Sequence, residues 1–362
     1  MTMERDKRSR IGQLGHALMA SGMLGFMINT ATIACAGDSI RPIEPTRASF
    51  EKKLQDGAPT APLVLHVVSP PATDIAIDQF IHDHYAWLDT TAHSIHRLLV
   101  LMAGTGQFPA QFLFVQREAA RLGYHVIGLE YVNSGGIAKL CPPTSDPARC
   151  YEDVRLEIID GVDRSPLVSV NAANSIDNRL DKVLAYLATQ YPGEGWSQFR
   201  DSNGAKWPLI AVAGLSVGGG EAAMIAKIRV VDRVLMFSAV PDSIGRASVP
   251  WVGGTHRTPT DRYFGLAHNR DGFFLPILAG WDSLGLSAFG PAMLVDASEP
   301  PYEFSHMLVT ARTPVGGFVG LNAHGSTATD SFTPLDATGT PFLLSAWRYM
   351  LSASPRQGGP PP

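Results

Sequence analysis

A serine framed by glycines, Gly214-Leu215-Ser216-Val217-Gly218, stands between an apolar run that begins at Trp207 and a small-residue segment reading VGGGEAAMIAKI. This order predicts strand, sharp turn, helix. A hydroxyl on such a turn sits in a strained backbone position that lifts it clear of the sheet. Glycine is needed on either side because Cβ atoms would collide where strand and helix pass. The turn also leaves the Val217 amide at a helix N-terminus, where it can donate to an oxyanion. In a chain with 35 glycines the five letters alone are a weak signal, and the context carries the weight. The apolar run ends at Gly214, and Gly219 and Gly220 are expected to let the helix close onto the sheet, as a nucleophile elbow requires.

A serine hydroxyl needs a base beside it and an acid to orient that base. After an elbow of this type they follow in the order Ser, Asp, His, each in a loop beyond a later strand. Asp271, in HNRD, stands where the strand RYFGLAH gives out and is the expected acid, with Asp242 one strand earlier as the alternative. His306, in EFSHM, follows the apolar AMLV and a loop long enough to turn back over the sheet, and is the expected base. His324, in NAHGST, is the alternative and otherwise walls the acyl or alcohol pocket. Gly104-Thr105-Gly106-Gln107 closes the strand HRLLVLMA, and its Thr105 amide is the expected second oxyanion donor. The same Gly-x-Gly begins a dinucleotide fingerprint, but no third glycine or strand-end acid follows in register, so no cofactor is expected. His82, His84, His93 and His96 lie close in sequence without a converging carboxylate or cysteine cluster, and read as polar residues at a sheet edge rather than as metal ligands.

The elements that must carry these groups alternate. Strands are expected at 62–68 and 80–88 as edge elements, then at 96–103, 124–131, 207–215, 234–238, 263–267 and 292–295. Helices are expected at 109–122, 175–190, beyond the elbow, around 277–286 and at 342–351, the second with Ile176, Leu180, Val183, Leu184 and Leu187 on one face. Residues 133–173 interrupt the alternation as a long insertion bearing Gly, Pro and Asp. The pattern is one doubly wound, mostly parallel α/β domain over 62–352, with an N-terminal extension at 37–61 and a tail at 353–362 that cannot fold.

The chain has 362 residues, 45% of them hydrophobic, and a net charge of -4 with no basic cluster beyond the first ten residues, which excludes a nucleic-acid footprint. Residues 4–10 are charged and net basic, 11–36 carry no Asp, Glu, Lys or Arg, and Ala34-Cys35-Ala36 fits a cleavage site. Residues 1–36 are therefore expected to be a signal peptide and the protein to be secreted or periplasmic. An uncleaved membrane anchor and lipidation at Cys35 are the alternatives. Cleavage leaves Cys141 and Cys150, an even count that suggests a disulfide closing a short loop.

The GTGQ turn, the AGLSVGGG elbow, the HNRD acid turn and the SHM turn together resemble the α/β-hydrolase superfamily over 62–351, and within it a poorly characterised bacterial group with a G-T-G-[GQ]-x-P loop. Ala103 departs from the His or Pro usual before the loop glycine. The resemblance implies serine ester or acyl hydrolysis of small-molecule or lipid and polyester acyl substrates, without metal or cofactor. It carries Ser216, Asp271 and His306 onto the triad positions. Acyl transfer by the same residues, and a non-catalytic binding protein on the same fold, are the other readings.

Overall fold

The computed structural model describes residues 63–141, 146–245 and 247–354. The expected signal peptide and N-terminal extension, and the tail from 355, lie outside the described residues.

Nine strands form one sheet: β1 (Leu63–Val68), β2 (His84–Asp89), β3 (Leu98–Met102), β4 (His125–Leu129), β5 (Ile210–Leu215), β6 (Arg233–Phe237), β7 (Tyr263–His268), β8 (Met293–Leu294) and β9 (Met307–Thr310). Their order is β1-β2-β4-β3-β5-β6-β7-β9-β8. Only β2 runs antiparallel to its neighbours β1 and β4. The remaining pairs are parallel, giving the mostly parallel α/β sheet expected. From β3 the chain moves outward to β4 and then returns to β5 on the other side. Loops after β3 and β5 therefore leave in opposite directions and open a crevice at the C-terminal edge, where ligands gather in such sheets.

The helices that matter to the site are α1 (Leu113–Arg121), α2 (Pro147–Asp160), α3 (Ile176–Gln190), α4 (Val217–Ile228), α5 (Phe274–Ser283) and α6 (Leu344–Ser352). Alternation along the strands sends successive side chains to opposite faces. Ile127 and Leu129 of β4 join Val183 and Leu187 of α3 in one core cluster, while a Cβ on the intervening Gly128 would strike Gln116 of α1. Thus α3 and α1 cover opposite faces, and α6 packs with α1. Ser175 caps α3 by accepting from the Asn178 amide, and the five expected apolar residues of that helix are buried.

Three expectations change. Strand β2 is interior, between β1 and β4, so only β1 is an edge on that side. The insertion contains α2, whose Tyr151, Val154 and Ile158 recur on a helical face and are buried, and Cys141 and Cys150 are bonded at its start. The apolar run 307–310 is itself a strand, β9, inserted between β7 and the two-residue β8.

Candidate active site

Ser216 follows β5 and has φ 55° and ψ −116°, a positive φ rare for a residue with a Cβ. Its amide donates to the Phe237 carbonyl at the end of β6 (2.9 Å), which anchors the strained turn to the neighbouring strand. The glycines around it do separate things. A Cβ on Gly214 would lie 2.2 Å from the Gly218 carbonyl carbon, one on Gly218 would lie 2.3 Å from the Met102 carbonyl oxygen, and one on Gly219 would lie 2.5 Å from the Ala239 Cβ. These let α4 close on β3 and β5 as expected. Gly220 does not serve the sheet: its missing Cβ leaves the room that the Arg155 guanidinium fills, 2.2 Å from Nη2.

Asp271 lies in the loop after β7, with its side chain fully buried and Oδ1 accepting from the Phe273 amide (2.9 Å). Its Oδ2 is 2.7 Å from Nδ1 of His324, in the helical turn Asn322–Gly325. A carboxylate only accepts, so in the neutral imidazole Nδ1 carries the proton and Nε2 is left as the lone-pair nitrogen. The His324 carbonyl accepts from Ser238 Oγ at 2.8 Å, and Ser238 follows Phe237, the residue that holds the Ser216 amide. Adjacent residues at one strand end thus tether the backbones of both the serine and the histidine.

His306 is not brought to Asp271. It precedes β9, at the N-terminal edge of a parallel strand, whereas Ser216 and Asp271 follow theirs. Its Nδ1 is 2.9 Å from the Tyr263 carbonyl, and its ring is stacked between Phe264 and Phe289, centroids 4.1 Å from each. Contrary to the expectation for His306, the histidine brought to Asp271 is His324. The physical reason is β9: once 307–310 is a strand, the residue that can return over the C-terminal edge must come after Thr310.

The loop after β3 is built to aim amides. Asn133 Nδ2 donates to the carbonyls of Gly104 (3.0 Å) and Gln107 (2.8 Å), and the Asn133 backbone carbonyl accepts from Gly106 N (3.0 Å). Gln107 N turns back onto Gly104 O. The Thr105 amide has no partner among the described residues, nor has that of Val217 at the start of α4. Gln107 Nε2 reaches Thr329 Oγ1 (3.1 Å), and Asp330 accepts from the Leu113 and Phe114 amides, so the segment after His324 is bound to the loop after β3 and to the start of α1. Asn133, Thr329 and Asp330 carry no motif in the sequence. The proximity of Thr329 and Asp330 to His324 was the available signal.

Asp242, the alternative acid, is engaged elsewhere. Arg155 Nε and Nη2 grip its two oxygens at 2.8 and 2.7 Å, and Trp251 Nε1 donates to it at 3.0 Å. Arg155 Nη1 also pairs with Glu221 Oε1 of α4 at 2.8 Å, and burial raises the Glu221 carboxyl to about 8. Of the four clustered histidines, His84 is buried with Nδ1 accepting from the Glu130 amide, and burial lowers it to about 3. His96 pairs with Gln198. Among the described residues no group of three or more His, Cys, Asp or Glu is placed to hold a metal.

No family model matches the chain, and no curated protein is similar to it. Among solved structures it is similar to a hormone-sensitive lipase from a metagenome library, at 11% identity and TM-score 0.36, over 75% of this chain and 83% of that one. It is also similar to esterase B from Lactobacillus rhamnosis, inhibited by a tributyrin phosphonate, at 13% identity and TM-score 0.35, over 73% of this chain and 78% of that one.

Proposed function

We propose that the protein is a serine hydrolase of the α/β-hydrolase type that cleaves carboxylic esters through an acyl-enzyme. The observation that carries this reading is the buried 2.7 Å pair of His324 Nδ1 and Asp271, set at the same sheet edge as a serine held at positive φ. In this reading Nε2 of His324 takes the Ser216 proton as Oγ adds to the acyl carbon. Asp271 stabilises the imidazolium, and the Thr105 and Val217 amides receive the oxyanion. The imidazolium then protonates the leaving alcohol, and water, activated the same way, releases the acid. Exposed Phe273 and Leu275, in the loop after Asp271 and the first turn of α5, and Val319 and Leu321, just before His324, support an apolar acyl group as substrate. The Cys141–Cys150 bond supports an exported protein, since such bonds persist in oxidising compartments.

The test is a p-nitrophenyl acyl ester series with a fluorophosphonate probe. Hydrolysis and labelling are expected in the wild type, and Ser216→Ala is expected to lose activity by on the order of 10^4. Equal rates in the two proteins refute serine catalysis, and a wild type that is not labelled points to a binding protein.

A further inference from the structure

Arg155 is 1% exposed, yet its hydrogen bonds all reach the supports of the elbow. It comes from α2, in the segment that interrupts the strand and helix alternation. Its fork holds Asp242, in the segment after β6, and its Nη1 reaches both Glu221 Oε1 and, at 3.2 Å, the carbonyl of Val217. The first turn of α4 and the segment after β6 frame Ser216, whose own amide is held by Phe237 of β6. One guanidinium therefore ties together the two elements between which the strained turn is suspended. Simple cohesion would not require it. A buried ionic cluster costs desolvation that well-packed apolar residues of similar volume avoid, often with no loss of stability. What the fork adds is direction: five donors in one plane fix the distance and angle between acceptors, as a lysine or an aliphatic side chain cannot.

We propose that Arg155 is a positioning residue for the nucleophile elbow, holding the first turn of α4 against the segment after β6 so that Ser216 and the Val217 amide keep their aim. Gly220 is the complementary requirement, because only a residue without a Cβ leaves the guanidinium its place. The inference rests on the serine-hydrolase reading.

The experiment compares wild type with Arg155→Lys, which keeps the charge and loses the fork, and with Asp242→Asn, which keeps the shape and weakens the grip. Each is assayed for thermal stability, ester kcat and KM, and the second-order rate of Ser216 phosphonylation. In the folded variants kcat and the phosphonylation rate are expected to fall together by about 10^2-fold, the effect of a displacement near 1 Å, with KM little changed. A purely structural role would lower the melting temperature and leave kcat per folded molecule unchanged, and that result overturns the proposal. If Arg155→Lys does not fold, Asp242→Asn decides by the same readouts. If the wild type is not labelled, the hydrolase reading falls on its own. Amide exchange at 217–221 then tests the prop, which predicts faster exchange in the folded variants, and unchanged exchange refutes it.

Discussion

His324 and His306 are both buried histidines with a ring nitrogen within 2.9 Å of an oxygen, and they differ in what that oxygen is. A carboxylate stabilises the imidazolium that a base must become, whereas a backbone carbonyl, for a ring stacked between two phenyl rings, does so far less. His324→Ala is therefore expected to cost on the order of 10^4 in kcat, and the double variant with Ser216→Ala to be no worse, because the members of a triad act as a unit. His306→Ala is expected to leave kcat per folded molecule near wild type while destabilising by about 1 to 3 kcal/mol, the scale of two aromatic contacts and a hydrogen bond. Steady-state kinetics and thermal melts of the two single variants check both statements; inactivity in a folded His306→Ala would reverse the roles. The elbow was legible at this scale because steric demand writes glycines into adjacent positions. The histidine that meets Asp271 was not, because nothing local to a histidine tells whether the strand beside it has already ended or has yet to begin.

At the scale of elements, Gly220 and the disulfide give the sharpest consequences of the insertion. Gly220→Ala places a methyl 2.2 to 2.4 Å from the guanidinium atoms of Arg155, which is fixed by Asp242 and Glu221 and cannot swing aside as a surface arginine would. Overpacking of this kind is expected to cost about 1 to 3 kcal/mol, and Gly220→Ala should therefore melt below wild type. An unchanged melting temperature would mean that Arg155 is free to move. The Cys141–Cys150 bond closes a loop with a sequence separation of nine, and in the chain-entropy model this contributes about 2 to 3 kcal/mol by restricting the unfolded chain. Chemical denaturation of Cys141→Ser/Cys150→Ser against wild type measures it, and coincident midpoints would show that the bond adds nothing. Helix α2 was hidden from the sequence by its company. Its apolar spacing is helical, but the Pro, Asp and Cys around it read as loop, and Arg155 on a helix reads as solvated until its three partners from other elements are known. Strand β9 was hidden by brevity, since four residues hold too few alternations to show a period.

For the molecule as a whole, the parallel core and its crevice followed from the alternation of apolar runs, because long buried runs bounded by glycine have few other ways to satisfy their backbones. What did not follow was electrostatic. Glu130, beyond β4, is 1% exposed, neither of its carboxyl oxygens has a hydrogen bond among the described residues, and burial raises it from 4.5 to about 9 against the opposing pull of Arg179. Between those values the folded chain binds a proton that the unfolded chain has released. Its contribution is present below pH 4.5 and is lost as pH rises through about 9. Glu130→Gln mimics the protonated group, so wild type is expected to lose stability relative to Glu130→Gln between pH 5 and pH 9. Melting curves that stay parallel across that range would discard the raised value. Finally, the sheet order has a consequence in time. Among the described residues strand β8 pairs only with β9, which is synthesised after it, and His324 follows β9, so the outer edge of the sheet and the partner of Asp271 both emerge after Ser216 and Asp271. On the serine-hydrolase reading proposed above, a nascent chain that has folded Ser216 and Asp271 into place still lacks its base and stays chemically silent until His324 has been made.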